Sequence, residues 1–464
     1  MKHSLALLCF ISIQFLCAQS FEVTQIKVAG AADKRINLVI MGDGYLASEF
    51  DDFEVDANAF VTEMFSQSPF LEYSDYFNVY IIKVPSEESG AMHPGTASDE
   101  PTGSSTVPVI DVNNYFGAAY DSFNIHRLLF SSNYALISTV LANNFPEYDQ
   151  ALILVNAPYY GGSGGTFPFA STDESAIEIA IHELGHSFSN LKDEYYPGDA
   201  QAAEAVNMTQ DNNPETVKWK NWLGSSNVGI FPYGTTGTPS TWYRPHQNCK
   251  MRYLGVPFCS VCKEGIIERI HTLVSPIESY SPVANTLENP SLPLEFQLDL
   301  VQPLPNTLDT TWTLNSINFS SSLDNLSLLE TDLVEGSNTL TALVTDNTAL
   351  LRVDGHEDIH LYTVTWTIEV ASLGISSITA ESNHITINIY PNPAGNMLNV
   401  SIESDLKTDF SFKLISIDGK EVLSIPANVH SATAVDIERL SSGLYMLNVF
   451  QGNVLIGQKK LIKE

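Results

Sequence analysis

The chain has 464 residues, 44% of them hydrophobic, enough for real buried cores and about three domains. Its formal charge is −32, with 54 acidic against 22 basic side chains. That balance excludes nucleic acid and anionic membrane as partners, because both need a basic surface.

Residues 1–18 read as an export signal. Lys2 and His3 give a positive start, Leu5 to Leu16 an apolar stretch, and Leu16-Cys17-Ala18 a small-residue cleavage site. The stretch is too short to span a membrane, and Phe15-Leu16 are too large to precede a lipidated Cys17. No other long apolar run occurs, so no transmembrane segment is expected. Cleavage leaves Cys249, Cys259 and Cys262. An oxidising compartment favours a disulfide from Cys249 to Cys259 or Cys262, and a structural zinc site with His246 as fourth ligand is the lesser alternative.

Between residues 21 and 165 strands and helices alternate. Ile36–Met41, Phe77–Val84 and Ala151–Val155 are apolar and β-branched, whereas 48–66 and 125–143 carry helical periodicity. This order predicts an α/β (α+β) domain with a mixed sheet and helices packed on it. Asp43-Gly44 reads as a tight turn in preference to a cation site. Gly161-Gly-Ser-Gly-Gly165 lacks the lysine and helix of a phosphate loop and reads as a flexible rim. Ser171 and Glu174 have the spacing of a capping box for the helix that follows.

That helix holds His182, Glu183 and His186 in the order H-E-x-x-H. Residues four apart share one helical face, so both imidazoles can bind one Zn²⁺, with Glu183 beside it as general base and then acid. Chance would produce the motif on the order of once or twice per hundred such chains. Ala176, Ile179, Ile181, Leu184 and Phe188 make the helix apolar nearly all round, and a buried helix carrying His-Glu-His needs a metal to satisfy them. Asn190 fits a left-handed helix cap, and Asp193 and Glu194 follow as candidates for a third ligand.

Downstream, Cys249-Lys-Met251-Arg-Tyr253 follows a Trp- and Tyr-rich polar stretch, and 264–273 reads as a closing helix. Residues 278–372 carry short alternating runs split by Pro, Asn and Asp, the pattern of an immunoglobulin-type β-sandwich spacer. A Ser-rich linker at 373–386 leads to 387–464, whose alternating strands and Asn-Pro and Asp-Gly turns predict a second all-β sandwich.

Several strings carry a family resemblance: Asn37-Leu-Val-Ile-Met-Gly-Asp-Gly-Tyr45, Pro69-Phe-Leu-Glu-Tyr73, Phe77-Asn-Val-Tyr80, the 159–165 loop, His182-Glu-Leu-Gly-His-Ser-Phe-Ser-Asn-Leu-Lys-Asp-Glu-Tyr195, Cys249-Lys-Met251 and Phe258-Cys-Ser-Val-Cys262. Together they resemble the IgA-peptidase family of bacterial zinc metallopeptidases. The resemblance implies a metzincin-like zinc domain over 19–277. The metzincin offset from turn to third ligand favours Asp193, leaving Glu194 to anchor a histidine or cap the turn. It also implies that Met251 floors the site and that Tyr253 reaches the tetrahedral oxyanion. Asn190 departs from the glycine usual at the turn.

The segments Ile387-Asn-Ile-Tyr-Pro-Asn-Pro-Ala394, Ser441-Ser-Gly-Leu-Tyr445 and Lys459-Lys-Leu-Ile-Lys-Glu464 are similar to the C-terminal sorting domain of type IX secretion cargo. That implies the secretion machinery as partner through 387–464, and a protein exported across both membranes, then released or attached to the cell surface. The expectation is a secreted zinc endopeptidase acting on extracellular protein or peptide. A surface adhesin on an inactive peptidase fold and a cell-wall amidase are the rivals.

Overall fold

The computed structural model describes residues 20–103, 107–196, 202–320, 324–371, 385–404, 410–427, 432–451 and 454–464. The predicted export signal and most of the predicted linker lie outside the described residues. By internal packing the chain divides into two units. One gathers the chain up to Ala284 with Glu295–Ser327 and Leu340–Thr365; the other gathers Asn285–Leu294, Leu328–Thr339 and Trp366–Glu464.

The first unit is built on a six-stranded sheet. Its strands are β1 (Glu22–Lys27), β2 (Ile36–Asp43), β3 (Phe77–Lys83), β4 (Gln150–Val155), β5 (Gly162–Ser163) and β6 (Phe169–Ser171), in the order β1-β3-β2-β4-β6-β5. The four inner strands are parallel, and β1 and β5 run antiparallel at the two edges. Every residue of β2 and β4 is buried, as parallel strands covered on both faces must be. Alternation sorts their side chains. Ile36, Leu38 and Ile40 face a core shared with helices α1 (Phe50–Met64), α3 (Ala176–Ser189) and α4 (Ser260–Leu273), while Val39 and Met41 face α2 (Tyr134–Asn144).

The predicted strands and mixed sheet are present, with three local differences. The helix expected over 125–143 begins only at Tyr134, because Phe130 instead exchanges backbone hydrogen bonds with Ala119. Ser171 ends β6 and caps nothing; the helix starts at Ala176. The glycine run at 161–165 contains the edge strand β5, held against β6. Asp43 does organise a turn, and its buried carboxylate also accepts N–H groups of Gly44, Phe116 and Ala118, which pins the 113–131 loop to the end of β2.

Also within this unit, Leu308–Leu314 pairs antiparallel with 340–346, with Thr310, Trp312 and Leu314 buried on alternate positions. In the second unit, seven antiparallel strands of the C-terminal segment form a three-stranded and a four-stranded sheet around Leu398, Val400, Phe412, Leu447 and Leu461. Mostly β structure, broken by a short helix at His356–Ile359, thus follows the α/β body.

Asp346 ties the first unit together. Its carboxylate accepts hydrogen bonds from Tyr73 Oη (2.6 Å), Thr307 Oγ1 (2.6 Å) and His271 Nε2 (3.0 Å). Burial alone would raise its pKa, but these donors outweigh it and hold the carboxyl below its usual range. Asp346→Ala would strand three buried donors, so urea unfolding should show a loss of about 3 kcal/mol or more.

Candidate metal centre

Helix α3 ends where it must for the chain to turn back on itself. Asn190 takes the left-handed conformation (φ 55°), and the N–H groups of Asn190 and Leu191 bond the carbonyls of His186 and Gly185. The reversal brings Asp193 under the two histidines. Lys250 O lies 2.8 Å from His182 Nδ1, and Leu191 O lies 2.6 Å from His186 Nδ1. A carbonyl only accepts, so each Nδ1 carries hydrogen and each neutral ring presents an Nε2 lone pair.

Those two Nε2 atoms lie 3.1 and 3.2 Å from the same Asp193 Oδ1. Three acceptors so placed repel one another unless a proton or cation sits among them. Ligands bound tetrahedrally at zinc–nitrogen and zinc–oxygen distances lie about 3.3 Å apart. The donor set therefore fits a divalent cation such as zinc. Without one, protons fill the gap. Burial would lower the pKa of His186, but the hydrogen bond and charge of Asp193 outweigh it and raise it. Asp193, against its own burial, is held well below the carboxylate range by both imidazoles.

Glu183 stands beside this triad, its Oε2 4.0 Å from His186 Nε2. Burial raises its pKa, only partly opposed by the histidines. Gly164, just beyond β5, passes so close that a Cβ there would lie 2.0 Å from Glu183 Oε2. A pocket of about 260 Å³ opens on the His182 side, lined by Arg127, Tyr160, Ile179, Tyr195, Arg252 and Leu254 among others. A second, of about 500 Å³, opens on the His186 side along Tyr148, Gly165, Phe167 and Asn190. Burial and the charges of Asp193 and Glu183 push the Tyr195 hydroxyl up to about 12.

Met251 is fully buried against the helix, where a Cβ on Gly185 would meet its Sδ at 2.8 Å. That contact explains the glycine inside the motif. One expectation about the pocket needs correction. Tyr253 is 48% exposed with the Arg252 guanidinium on its ring, and it does not line the pocket. Tyr195 does line it; its signal was its place directly after Asp193-Glu194.

Glu194 neither anchors a catalytic histidine nor caps the turn. It is fully buried among Cys249, Cys259 and Cys262, which are all free, so the expected disulfide is not formed. Cys249 and Cys262 sulfurs are 3.6 Å apart, too far for a bond. Burial pushes the Glu194 carboxyl well up, whereas hydrogen bonds from Cys259 and Cys262 outweigh burial and draw the Cys249 thiol down. His246 is not among the residues of this cluster. A second group that sequence reading missed brings His93, Glu100, Asp121 and His126 together in the loops between β3 and α2.

Residues 24–234 match the family model described as IgA Peptidase M64, and residues 388–464 match the one described as a secretion system C-terminal sorting domain. The M64 family is one of metallopeptidases. The sorting domain is of the type IX kind and marks the protein as secreted or attached to the cell surface. No curated protein matches. Among solved structures, dimeric latent PorU from Porphyromonas gingivalis is 15% identical over 40% of this chain and 20% of its own, with a TM-score of 0.15. The mixed-linkage glucan protein SGBP-B from Bacteroides ovatus is 12% identical over 39% and 42%, with a TM-score of 0.17. The chain thus spans 20% of the length of the first, and likeness at this level carries no functional inference.

The left-handed turn at Asn190 can be tested by two substitutions. Asn190→Gly should be tolerated, while Asn190→Ala should cost about 1–2 kcal/mol in thermal unfolding.

Proposed function

We propose that the chain is a secreted, zinc-dependent endopeptidase of metzincin-like construction. The convergence of both Nε2 atoms on Asp193 Oδ1, with Glu183 alongside, carries the reading. His182, His186 and Asp193 would hold the zinc, and Met251 would support it from below. The chemistry that ion supplies when bound is Lewis acidity toward water and the peptide carbonyl.

The protein's own groups do the rest. Glu183 takes the proton of the attacking water and delivers it to the leaving amine, and its buried, raised carboxyl suits both roles. Tyr195, in the pocket wall, donates its hydroxyl to the developing oxyanion. Cavities on both sides of the motif suit a chain that continues past the scissile bond, which favours protein over a short cell-wall peptide. Secretion supports extracellular protein as the substrate class.

The test uses the purified exported chain and a mixture of unfolded proteins, with and without chelator. Glu183→Ala should keep its zinc and lose about 10²–10⁴ in kcat. Zinc bound without any cleavage by the wild type would overturn the reading. Tyr195→Phe should lower kcat by about 10²-fold with zinc retained, whereas Tyr253→Phe should leave it unchanged. Gly164→Ala should also lower kcat, because the new methyl must displace the Glu183 carboxylate.

A further inference from the structure

We propose that Cys249, Cys259, Cys262 and Glu194 bind a second zinc ion, a structural one, directly beneath the candidate active site. All four side chains are buried and their ligand atoms lie within 4.8 Å of one another. The Cys249–Cys262 sulfur separation of 3.6 Å is close to the edge of a zinc–thiolate tetrahedron, about 3.8 Å for bonds of 2.3 Å. Glu194 Oε1 lies 3.2 Å from Cys262 Sγ and accepts from Asn207 at 3.1 Å, while Oε2 is buried with no partner at all. A carboxylate oxygen left so in the core calls for a cation.

The backbone is arranged as thiolate sites require. Cys259 caps α4 and Cys262 lies in its first turn, where the helix dipole favours negative sulfur. The Cys259 N–H points at Cys249 Sγ over 3.2 Å. A disulfide would use two of three sulfurs and leave the third thiol and Glu194 unexplained.

The cage would also hold the neighbouring centre in place. Glu194 follows Asp193 and donates its N–H to Met251 O at 2.6 Å. Cys249 precedes Lys250, whose carbonyl fixes the His182 ring. This link to catalysis rests on the reading of the His182 centre; the cage itself does not.

The experiment replaces zinc by cobalt in the full exported chain. Wild type and His186→Ala should both show an intense near-ultraviolet sulfur-to-cobalt band, and Cys262→Ser should lose it. Peptide mass spectrometry should find all three cysteines alkylated only after denaturation with chelator. Absence of the band in the wild type, or a disulfide-linked pair among the three, overturns the proposal. Should Cys262→Ser not fold, the wild-type band and the alkylation pattern decide. A band that persists in a chain without peptidase activity would sink only the catalytic reading.

An independent observation carries a second site: the geometry points to a metal, again zinc, held by His93, Glu100, Asp121 and His126. His93 Nε2 lies 3.3 Å from Glu100 and 3.4 Å from Asp121; His126 Nδ1 lies 3.1 and 3.3 Å from the same two. These are the separations found among His182, His186 and Asp193. Pro108 O accepts from His93 Nδ1 at 2.8 Å, so the His93 lone pair faces the carboxylates. Asp121 adopts φ 63° to aim its side chain there, with Thr96 N–H on its other oxygen. Arg127 of the cleft wall follows His126 directly, so this ion would stiffen that wall. Zinc counted per chain should fall by one from the wild type to folded His126→Ala. Equal counts in the two proteins would overturn it.

Discussion

Buried lone pairs that face one another are the constraint on which this structure depends. At the H-E-x-x-H helix the Lys250 and Leu191 carbonyls fix both imidazoles with Nε2 outward, and the turn at Asn190 returns Asp193 to the same point. Each arrangement has a cost in a core that water does not fill. It is tolerable when a proton or a cation stands among the three acceptors. The long-range contacts of the domain serve that placement. Lys250 is itself buried and paired with Glu178 of the same helix, so the carbonyl it offers His182 is anchored at both ends.

What the sequence shows well is whatever a local pattern can encode. β2, β3 and β4 are recognisable because strands covered on both faces must be apolar throughout, and the H-E-x-x-H helix because its spacing is short. Asn190 and Asp193 could be read because a helix cap and the next few residues form one continuous turn. The 125–133 stretch looks helical by periodicity yet runs as a bridge, because Asp43, far away in sequence, organises the loop it pairs with. Propensity lost there to a tertiary hydrogen-bond network.

Residues that act across loops left no such trace. His93 and His126 are 33 positions apart, each an ordinary histidine by itself, and no periodicity links them to Glu100 or Asp121. The resemblance puts Tyr253 at the oxyanion, but its ring is exposed, with the Arg252 guanidinium over it. Tyr195 sits in the quoted motif and gained its place in the pocket only through the reversal at Asn190. Cysteine counting favoured a disulfide because export suggests one; a buried glutamate among the thiols is a feature that only the folded chain displays.

The pair Asp193-Glu194 shows how little backbone separates two centres. The two neighbouring side chains part company: one carboxylate meets the histidines of α3 while the next meets the cysteines at the start of α4. Met251 lies between, packed under Gly185 on one side and hydrogen-bonded through its carbonyl to Glu194 on the other. A displacement of either carboxylate therefore moves the other, and with it the floor of the site. The turn, the methionine and the cysteines are thus one mechanical unit, even though only Asp193 faces the two histidines.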